Sequence, residues 1–266
     1  MALRGAISSA QNRHIAQARA LGRKRARDRD QLCLVEGVRL IEAALDAGVA
    51  PVFAFVEEDS ATDDRQRGLE QRLLDGNWPT WYVSAEAMQA LTNTLTPQGV
   101  ACVVPIPEMP PTLPPDASLV VLLDGLRDPG NLGTIIRTCH ALGVDALLLT
   151  KDCVDPWAPK VLRAGMGGHF GLRIYADRLW EEIPEQSAGL RRVVAEADAT
   201  APAWRYDWTQ PVMLVVGGEA HGASARAAQL ADDRVRIPMV PGAESLNAAI
   251  ACGMLLYEAV RQRGEF

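Results

Sequence analysis

Short apolar runs bounded by polar and turn-forming residues recur along the chain, and their spacing divides it in two. In the first part, runs at residues 32–35, 52–56 and 100–104 read as strands. Between the first two, Val38, Ile41, Ala44 and Leu45 repeat at helical spacing over 38–47 and stop at Gly48, a residue type that readily ends a helix. The first part is therefore read as a small α/β domain. In the second part, near-continuous apolar runs at 119–123, 146–149, 193–195, 212–216 and 235–237 predict strands buried on both faces, several separated by helical patterns. That alternation predicts an α/β domain built on a parallel sheet. Six prolines within residues 105–115 remove backbone donors and favour extended chain, so this stretch reads as a linker. It separates a first domain over 1–104 from a second over 116–266.

Composition narrows the class. With 266 residues, 48% of them hydrophobic, the chain has enough apolar surface for substantial cores. No apolar run approaches the roughly 18 residues of a membrane helix, and the start, Met1-Ala2-Leu3-Arg4, lacks the hydrophobic stretch of a signal peptide. The cytoplasm is the expected compartment and no membrane partner is expected. Cys33, Cys102, Cys139, Cys153 and Cys252 never fall into a C-x-x-C pair, so they read as buried thiols rather than a disulfide framework or zinc ribbon. The four histidines lack H-x-x-x-H spacing, and no metal is expected.

Charge is unevenly spread. The net charge of −6 argues against indiscriminate coating of nucleic acid. Residues 1–30, however, hold eight Lys and Arg against two Asp, whereas the rest holds nineteen cations against thirty-one anions. Arg13, Arg23, Lys24, Arg25 and Arg27 lie in this basic run, which reads either as a solvated helix face or as an RNA or phosphate contact.

Ligands of open parallel sheets bind beyond the carboxyl ends of the strands, so the residues after each apolar run are where chemistry is sought. After the run at 119–123 comes Asp124-Gly125-Leu126-Arg127-Asp128-Pro129-Gly130-Asn131. Asp-Pro-Gly reads as a turn and Asn131 as a helix N-cap, with Leu132, Ile135, Ile136 and Cys139 as the buried stripe that follows. Arg137 faces away from that stripe and leans back over Gly133, where a missing side chain leaves room for a ligand. It reads as a phosphate grip or as an ordinary surface arginine. After the run at 212–216 come Gly217, Gly218 and Glu219, a loop whose amides suit close approach to a ligand, or a plain turn. It is not G-x-G-x-x-G, which disfavours a nicotinamide enzyme. After the run at 235–237 a stiff stretch leads to Ser245-Leu246-Asn247, where either polar residue could cap the following helix, expected to reach about Arg263. Capping and catalysis are compatible there.

Taken in order, Asp128-Pro129-x-Asn131-x-Gly133-x-x-x-Arg137, Gly217-x-Glu219-x-x-Gly222, and Ile237-Pro238-Met239 with Ser245-Leu246-Asn247 resemble the three motifs of the SpoU (TrmH-like) branch of the SPOUT RNA ribose 2′-O-methyltransferases. Upstream, Ser9, Asn12 and Ile15, then Lys24-Arg25-x-Arg27 and Leu34-Val35-Glu36-Gly37-Val38-Arg39-Leu40, look like the substrate-binding domain, similar to ribosomal protein L30e, that precedes many members. The segment 158–168 also resembles a family stretch, with Lys160 and Arg163 as candidate RNA contacts or as part of a solvated loop.

This resemblance implies an α/β-knot fold with a deep trefoil knot, an exception to the rule that chains avoid knots. It implies a homodimer and the cofactor S-adenosylmethionine, held largely by backbone at Gly217, Gly218, Ile237 and Leu246. It further implies a catalytic cluster of Asn131, Arg137, Glu219, Ser245 and Asn247, in which Arg137 holds the neighbouring phosphate and favours a developing alkoxide. Ribosomal RNA is the expected substrate, ahead of transfer RNA, because of the L30e-like domain. A catalytically silent RNA-binding or assembly protein of the same fold is the alternative. Two departures from the motifs, Gly218 where the family often has Ala or Ser and the acidic Glu244, remove no motif residue.

Overall fold

The computed structural model describes residues 3–58, 60–61, 63–92, 97–219 and 222–264. The chain divides into two compact units. One comprises Met1–Pro107 with Trp157–Phe170, the other Glu108–Pro156 with Gly171–Phe266.

The first unit holds strands β1 (Leu3–Ile7), β2 (Leu32–Glu36), β3 (Phe53–Glu57), β4 (Thr80–Val83) and β5 (Val100–Pro105). Its helices are α1 (Arg13–Ala20), α2 (Lys24–Asp30), α3 (Val38–Asp46), α4 (Asp64–Asp75) and α5 (Ala85–Leu91). The strands form one mixed sheet in the order β1-β4-β3-β5-β2. Alternation along β3 serves two cores: Phe53 and Phe55 pack with Ile15, Leu21 and Met88, while Ala54 and Val56 pack with Val35, Ile41, Leu69 and Leu73. Strands β2, β3 and β5 and helix α3 lie within a residue or so of where the apolar pattern puts them. β1 and β4 were not anticipated. The first is almost wholly exposed, and the second is four residues long with only its ends buried, so neither carries a usable alternation.

The second unit carries β6 (Leu119–Asp124), α6 (Pro129–Ala141) and β7 (Ala146–Thr150). The chain then forms α7 (Pro159–Gly165) and α8 (Gly168–Gly171). Of this stretch, residues 157–170 belong to the first unit, with Trp157 and Leu162 in its core beside Val35 and Leu40. The second unit continues with β8 (Arg173–Arg178), α9 (Ile183–Gln186), β9 (Arg191–Ala195), β10 (Ala201–Pro202), β11 (Val212–Gly217), α10 (Ala225–Leu230), β12 (Asp233–Arg236) and α11 (Ala248–Arg263). Its seven strands run in the order β10-β12-β9-β11-β6-β7-β8, every pairing parallel. This is the parallel sheet expected from the near-continuous apolar runs: β6, β7 and β11 are buried along their whole length. Helices α6 and α11 pack against each other.

Residues 105–115, read as a linker, divide between the units. From Glu108 onward they belong to the second, where Met109 and Leu113 pack against its core and the Thr112 carbonyl accepts a hydrogen bond from the Tyr175 hydroxyl at 3.0 Å.

Arg27 differs from its expected role. Read with the basic run as an RNA contact, it is 3% exposed, and its Nη1 donates to the Leu21 carbonyl at 2.6 Å. Helix α2 buries only Ala26 and Arg27, so its inner face takes this one cation while Arg23, Lys24 and Arg25 remain exposed. Buried charge is tolerated where it is hydrogen-bonded, and losing it strands the acceptor. Arg27→Ala is therefore expected to lower unfolding free energy by about 2 kcal/mol, against less than about 0.5 kcal/mol for Arg25→Ala. Denaturant unfolding followed by circular dichroism measures the difference.

Candidate active site

Helix α6 starts three residues earlier than its apolar stripe suggests. Asp128 is the N-cap, its carboxylate accepting the Asn131 amide at 2.8 Å, and Pro129 occupies the first helical position. Proline lacks the amide that would go unbonded there, so Asp-Pro starts the helix better than Asn131 does. Asn131 therefore falls in the first turn with its side chain free for other partners. Leu132, Ile135, Ile136 and Cys139 form the expected buried stripe, but Gly133 is buried within it and leaves no surface space for a ligand. Arg137 is exposed on the opposite face, with no hydrogen bond or ion pair among the described residues.

Asn131 joins the three loops. Its Nδ2 donates to Glu219 Oε1 at 2.8 Å, and its Oδ1 accepts from Asn247 Nδ2 at 2.9 Å. Asn247 is the N-cap of α11, its Oδ1 accepting the amides of Ala249 and Ile250 at 2.9 and 3.2 Å. Glu219 also accepts the backbone amides of Arg127 and Asp128 at 3.3 and 3.2 Å. Partial burial pushes the Glu219 carboxyl up, but the hydrogen bonds from Asn131 and those amides outweigh it and hold the group below its ordinary range.

Behind this chain the ends of β6 and β11 are tied together. Asp124 and Gly217 are register partners, and the buried Asp124 carboxylate accepts the Ser224 amide at 2.7 Å, closing the loop that begins at Gly217. Gly218 sits so close to the turn after β6 that a Cβ there would lie 2.6 Å from the Gly125 carbonyl oxygen. On Gly217 a Cβ would run into the backbone of Gly222 and Ala223. Ala220 and His221, between Glu219 and Gly222, lie outside the described residues. Asp124 lies outside the three motifs. Its signal is a carboxylate at the last position of an otherwise apolar strand.

Beside the loops lies a cavity of about 170 Å³. Gly217, Gly218, Glu219, Ile237, Ser245 and Leu246 all line it, so every residue expected to bind cofactor and two of those expected to be catalytic meet at one cavity. Val216, Val235, Met239, Ala248 and Ala251 make it largely apolar, and Glu196 adds a second carboxylate that the sequence reading missed. Asn247 reaches the site through Asn131, whereas Arg137 does not line the cavity. Among the described residues no group of His, Cys, Asp and Glu is placed to hold a metal.

The expected RNA contacts belong to the first unit. Arg13, Arg23, Lys24, Arg25 and Lys160 are exposed on the first unit, and Arg163 is partly buried there. Arg163 lines a polar cavity of about 790 Å³ together with Arg39, Arg65, Glu36 and Glu57. That cavity is larger, but no residue of the three motifs lines it, so chemistry rather than volume selects the smaller one.

Comparison with known proteins places this geometry. Residues 118–257 match the model of the SpoU rRNA Methylase family, and residues 12–102 match the MRM3-like substrate binding domain. The chain is 36% identical over 259 residues to an uncharacterized tRNA/rRNA methyltransferase of Synechocystis sp., covering 97% of this chain and 94% of the relative. It is 32% identical over 253 residues to the 23S rRNA (guanosine(2553)-2′-O)-methyltransferase RlmP of Bacillus subtilis, covering 94% and 97%. The AdoMet-bound rRNA methyltransferase of Sinorhizobium meliloti superposes with a TM-score of 0.85 at 29% identity over 98% of each chain.

The Glu219 carboxyl is depressed in the folded protein, so its ionised form stabilises the fold above the unfolded glutamate range and that contribution is lost as pH falls through the folded value. The stability gap between the wild type and Glu219→Gln is expected to be widest near about pH 6 and to close towards about pH 3. Thermal unfolding of both proteins across that series reads it directly; a gap that widens on acidification contradicts the assignment.

Proposed function

The chain belongs to the SpoU rRNA methylase family, and from that premise we propose how its residues carry out S-adenosylmethionine-dependent methyl transfer to a ribose 2′-oxygen of ribosomal RNA. The fold is the α/β-knot of that family. The observation that carries the reading is the side-chain chain Glu219–Asn131–Asn247 at the rim of a glycine-walled apolar cavity.

The residues present suit the cofactor. Gly217 and Gly218 let the loop backbone pack closely at the cavity they line, and Val216, Val235, Ile237, Met239 and Leu246 offer an apolar lining for a nucleoside. Bound S-adenosylmethionine supplies an electrophilic methyl group on a sulfonium centre. Gly217, Gly218, Ile237 and Leu246 hold it, largely by backbone, and Ser245 stands on the same wall to align the ribose with it. Glu219, fully engaged by Asn131 and two amides and depressed below its ordinary range, is a poor proton acceptor and acts as a strut. Arg137, permanently charged and unpaired among the described residues, grips the phosphate beside the target ribose and stabilises the oxygen as it becomes anionic. Asn131 and Asn247 fix the helix ends against which that ribose is aligned. Placement is the protein's main contribution.

RNA delivery is assigned to the first unit. Its exposed Arg13, Arg23, Lys24 and Arg25, with Lys160 and Arg163 on α7, suit phosphate and shape recognition of structured RNA. None of the five cysteines is joined in a disulfide, and a reducing compartment such as the cytoplasm is the one this reading assigns.

The active form is a homodimer in this reading. Ile250, Met254 and Tyr257 lie at i, i+4 and i+7 on α11 and are 55, 48 and 60% exposed, while Cys252, Leu255, Leu256 and Ala259 are buried on the other side. An exposed apolar stripe one turn beyond Leu246, at the cavity wall, suits a second copy better than water.

Two outcomes follow. With a tritiated methyl donor and deproteinised RNA from cells lacking the protein, wild type labels ribosomal RNA at one ribose. Arg137→Ala is expected to lower transfer by about 10²-fold or more while the methyl donor's Kd stays within about twofold; retained turnover removes Arg137 from its role. Separately, Met254→Arg is expected to convert dimer to monomer in sedimentation velocity at micromolar protein, with far-UV circular dichroism unchanged.

A further inference from the structure

Two ionisable side chains stand on the cavity wall, and only one is accounted for. Glu219 is committed to Asn131 and backbone amides. Glu196 follows β9 at its carboxyl end, across β11 from β6 and the Asn131 network. Its amide donates to the Val235 carbonyl at 2.9 Å, which fixes the backbone. Its Oε2 accepts from Arg234 Nη1 at 3.0 Å, and Arg234 is itself anchored by donating to the Ala228 carbonyl at 3.2 Å. The side chain is 17% exposed, and its Oε1 has no hydrogen bond among the described residues. Val216, Val235 and Ile237 line the same cavity, so this oxygen, which has no protein donor among those residues, is open to a donor carried by a ligand bound there.

A nucleoside carrying an amino-acid arm offers three kinds of donor: the ribose hydroxyls, the base amino group and an ammonium. The Arg234 guanidinium neutralises Glu196 and repels a second cation nearby, which disfavours the ammonium. A pinned carboxylate with a free oxygen is suited to neutral hydroxyls, and an acidic residue taking a ribose hydroxyl beside a parallel strand is a recurrent solution in nucleotide-binding sheets. We infer that Glu196, held by Arg234, accepts the ribose hydroxyls of the methyl donor and makes the cavity selective for a ribonucleoside. The inference rests on the methyl-donor reading of the same cavity. It assigns to Glu196 recognition rather than chemistry.

Calorimetric titration of the full-length protein with S-adenosylhomocysteine, its 2′-deoxy counterpart and methylthioadenosine tests it. Wild type is expected to bind S-adenosylhomocysteine about tenfold more tightly than the 2′-deoxy form. Glu196→Gln is expected to weaken S-adenosylhomocysteine about tenfold and bring the ribo-to-deoxy ratio close to one. The same loss should appear with methylthioadenosine, which has no ammonium. A ratio near one in wild type overturns the inference even if the variant fails to fold. So does a Glu196→Gln loss that vanishes with methylthioadenosine, which would assign the carboxylate to the ammonium, or a variant that keeps the wild-type ratio. Wild type binding none of the three ligands is a separate result, and overturns the methyl-donor reading itself.

Discussion

One primary amide holds the site together. Asn131 donates from Nδ2 to Glu219 and accepts at Oδ1 from Asn247, so a single side chain bonds two residues that are 88 and 116 positions away in sequence. Both ends of the amide are used, and in opposite senses. Aspartate there would place an acceptor against Glu219 and add like-charge repulsion, glutamine would be a methylene too long, and serine would be too short to span both partners. Asn247 is under the same constraint, since its Nδ2 faces Asn131 while its Oδ1 caps α11. The N-terminal ends of α6 and α11 and the loop after β11 are thereby fixed in one geometry.

That network needs a sheet that brings the three loops to one edge. β11 and β6 are neighbours and parallel, so Glu219 and the turn into α6 emerge on the same side, and Asp124 clamps them by taking the Ser224 amide. Glycine is required at Gly217 and Gly218 because backbone stands where a Cβ would be. The apolar monotony of β6, β7 and β11 is thus more than a core requirement. Strands buried on both faces cannot carry polar function along their length, so it is confined to their carboxyl ends.

Much of this was legible from residue order. Apolar runs located the inner strands because full burial leaves an uninterrupted signature, and the three polar stretches after them converge as expected. Other features were not legible for physical reasons. β8 ends the sheet and reads Arg-Ile-Tyr-Ala-Asp-Arg, too polar to stand out from a loop. Arg27 sits in the same run as Arg23, Lys24 and Arg25, and only the direction α2 presents to the core separates a buried cation from exposed ones. Asn131 resembled a cap because asparagine is a good one, but Asp128 with Pro129 competes better for the same helix start. Glu196 follows a strand with no motif around it, and its partner Arg234 is 38 residues on, a pairing only the β9–β12 neighbourhood creates.

The distribution of charge in the second unit follows from the two molecules it must bring together. Both cavity carboxylates, Glu196 and Glu219, are on the wall proposed for a cationic methyl donor, whereas Arg137 stands outside it on the exposed face of α6. The reverse arrangement would fail twice. A guanidinium inside would oppose the sulfonium, and a free carboxylate outside would repel the phosphates that accompany the target ribose. Tying Glu219 to Asn131 and Glu196 to Arg234 gives each carboxylate a fixed partner other than Arg137. Leaving Arg137 unpaired costs the fold little, since an exposed guanidinium is solvated, and in the proposed role it leaves the full charge available to a phosphate. In the proposed reading, segregating charge in this way reconciles a net charge of −6, which opposes indiscriminate coating of a polyanion, with local cations that meet it.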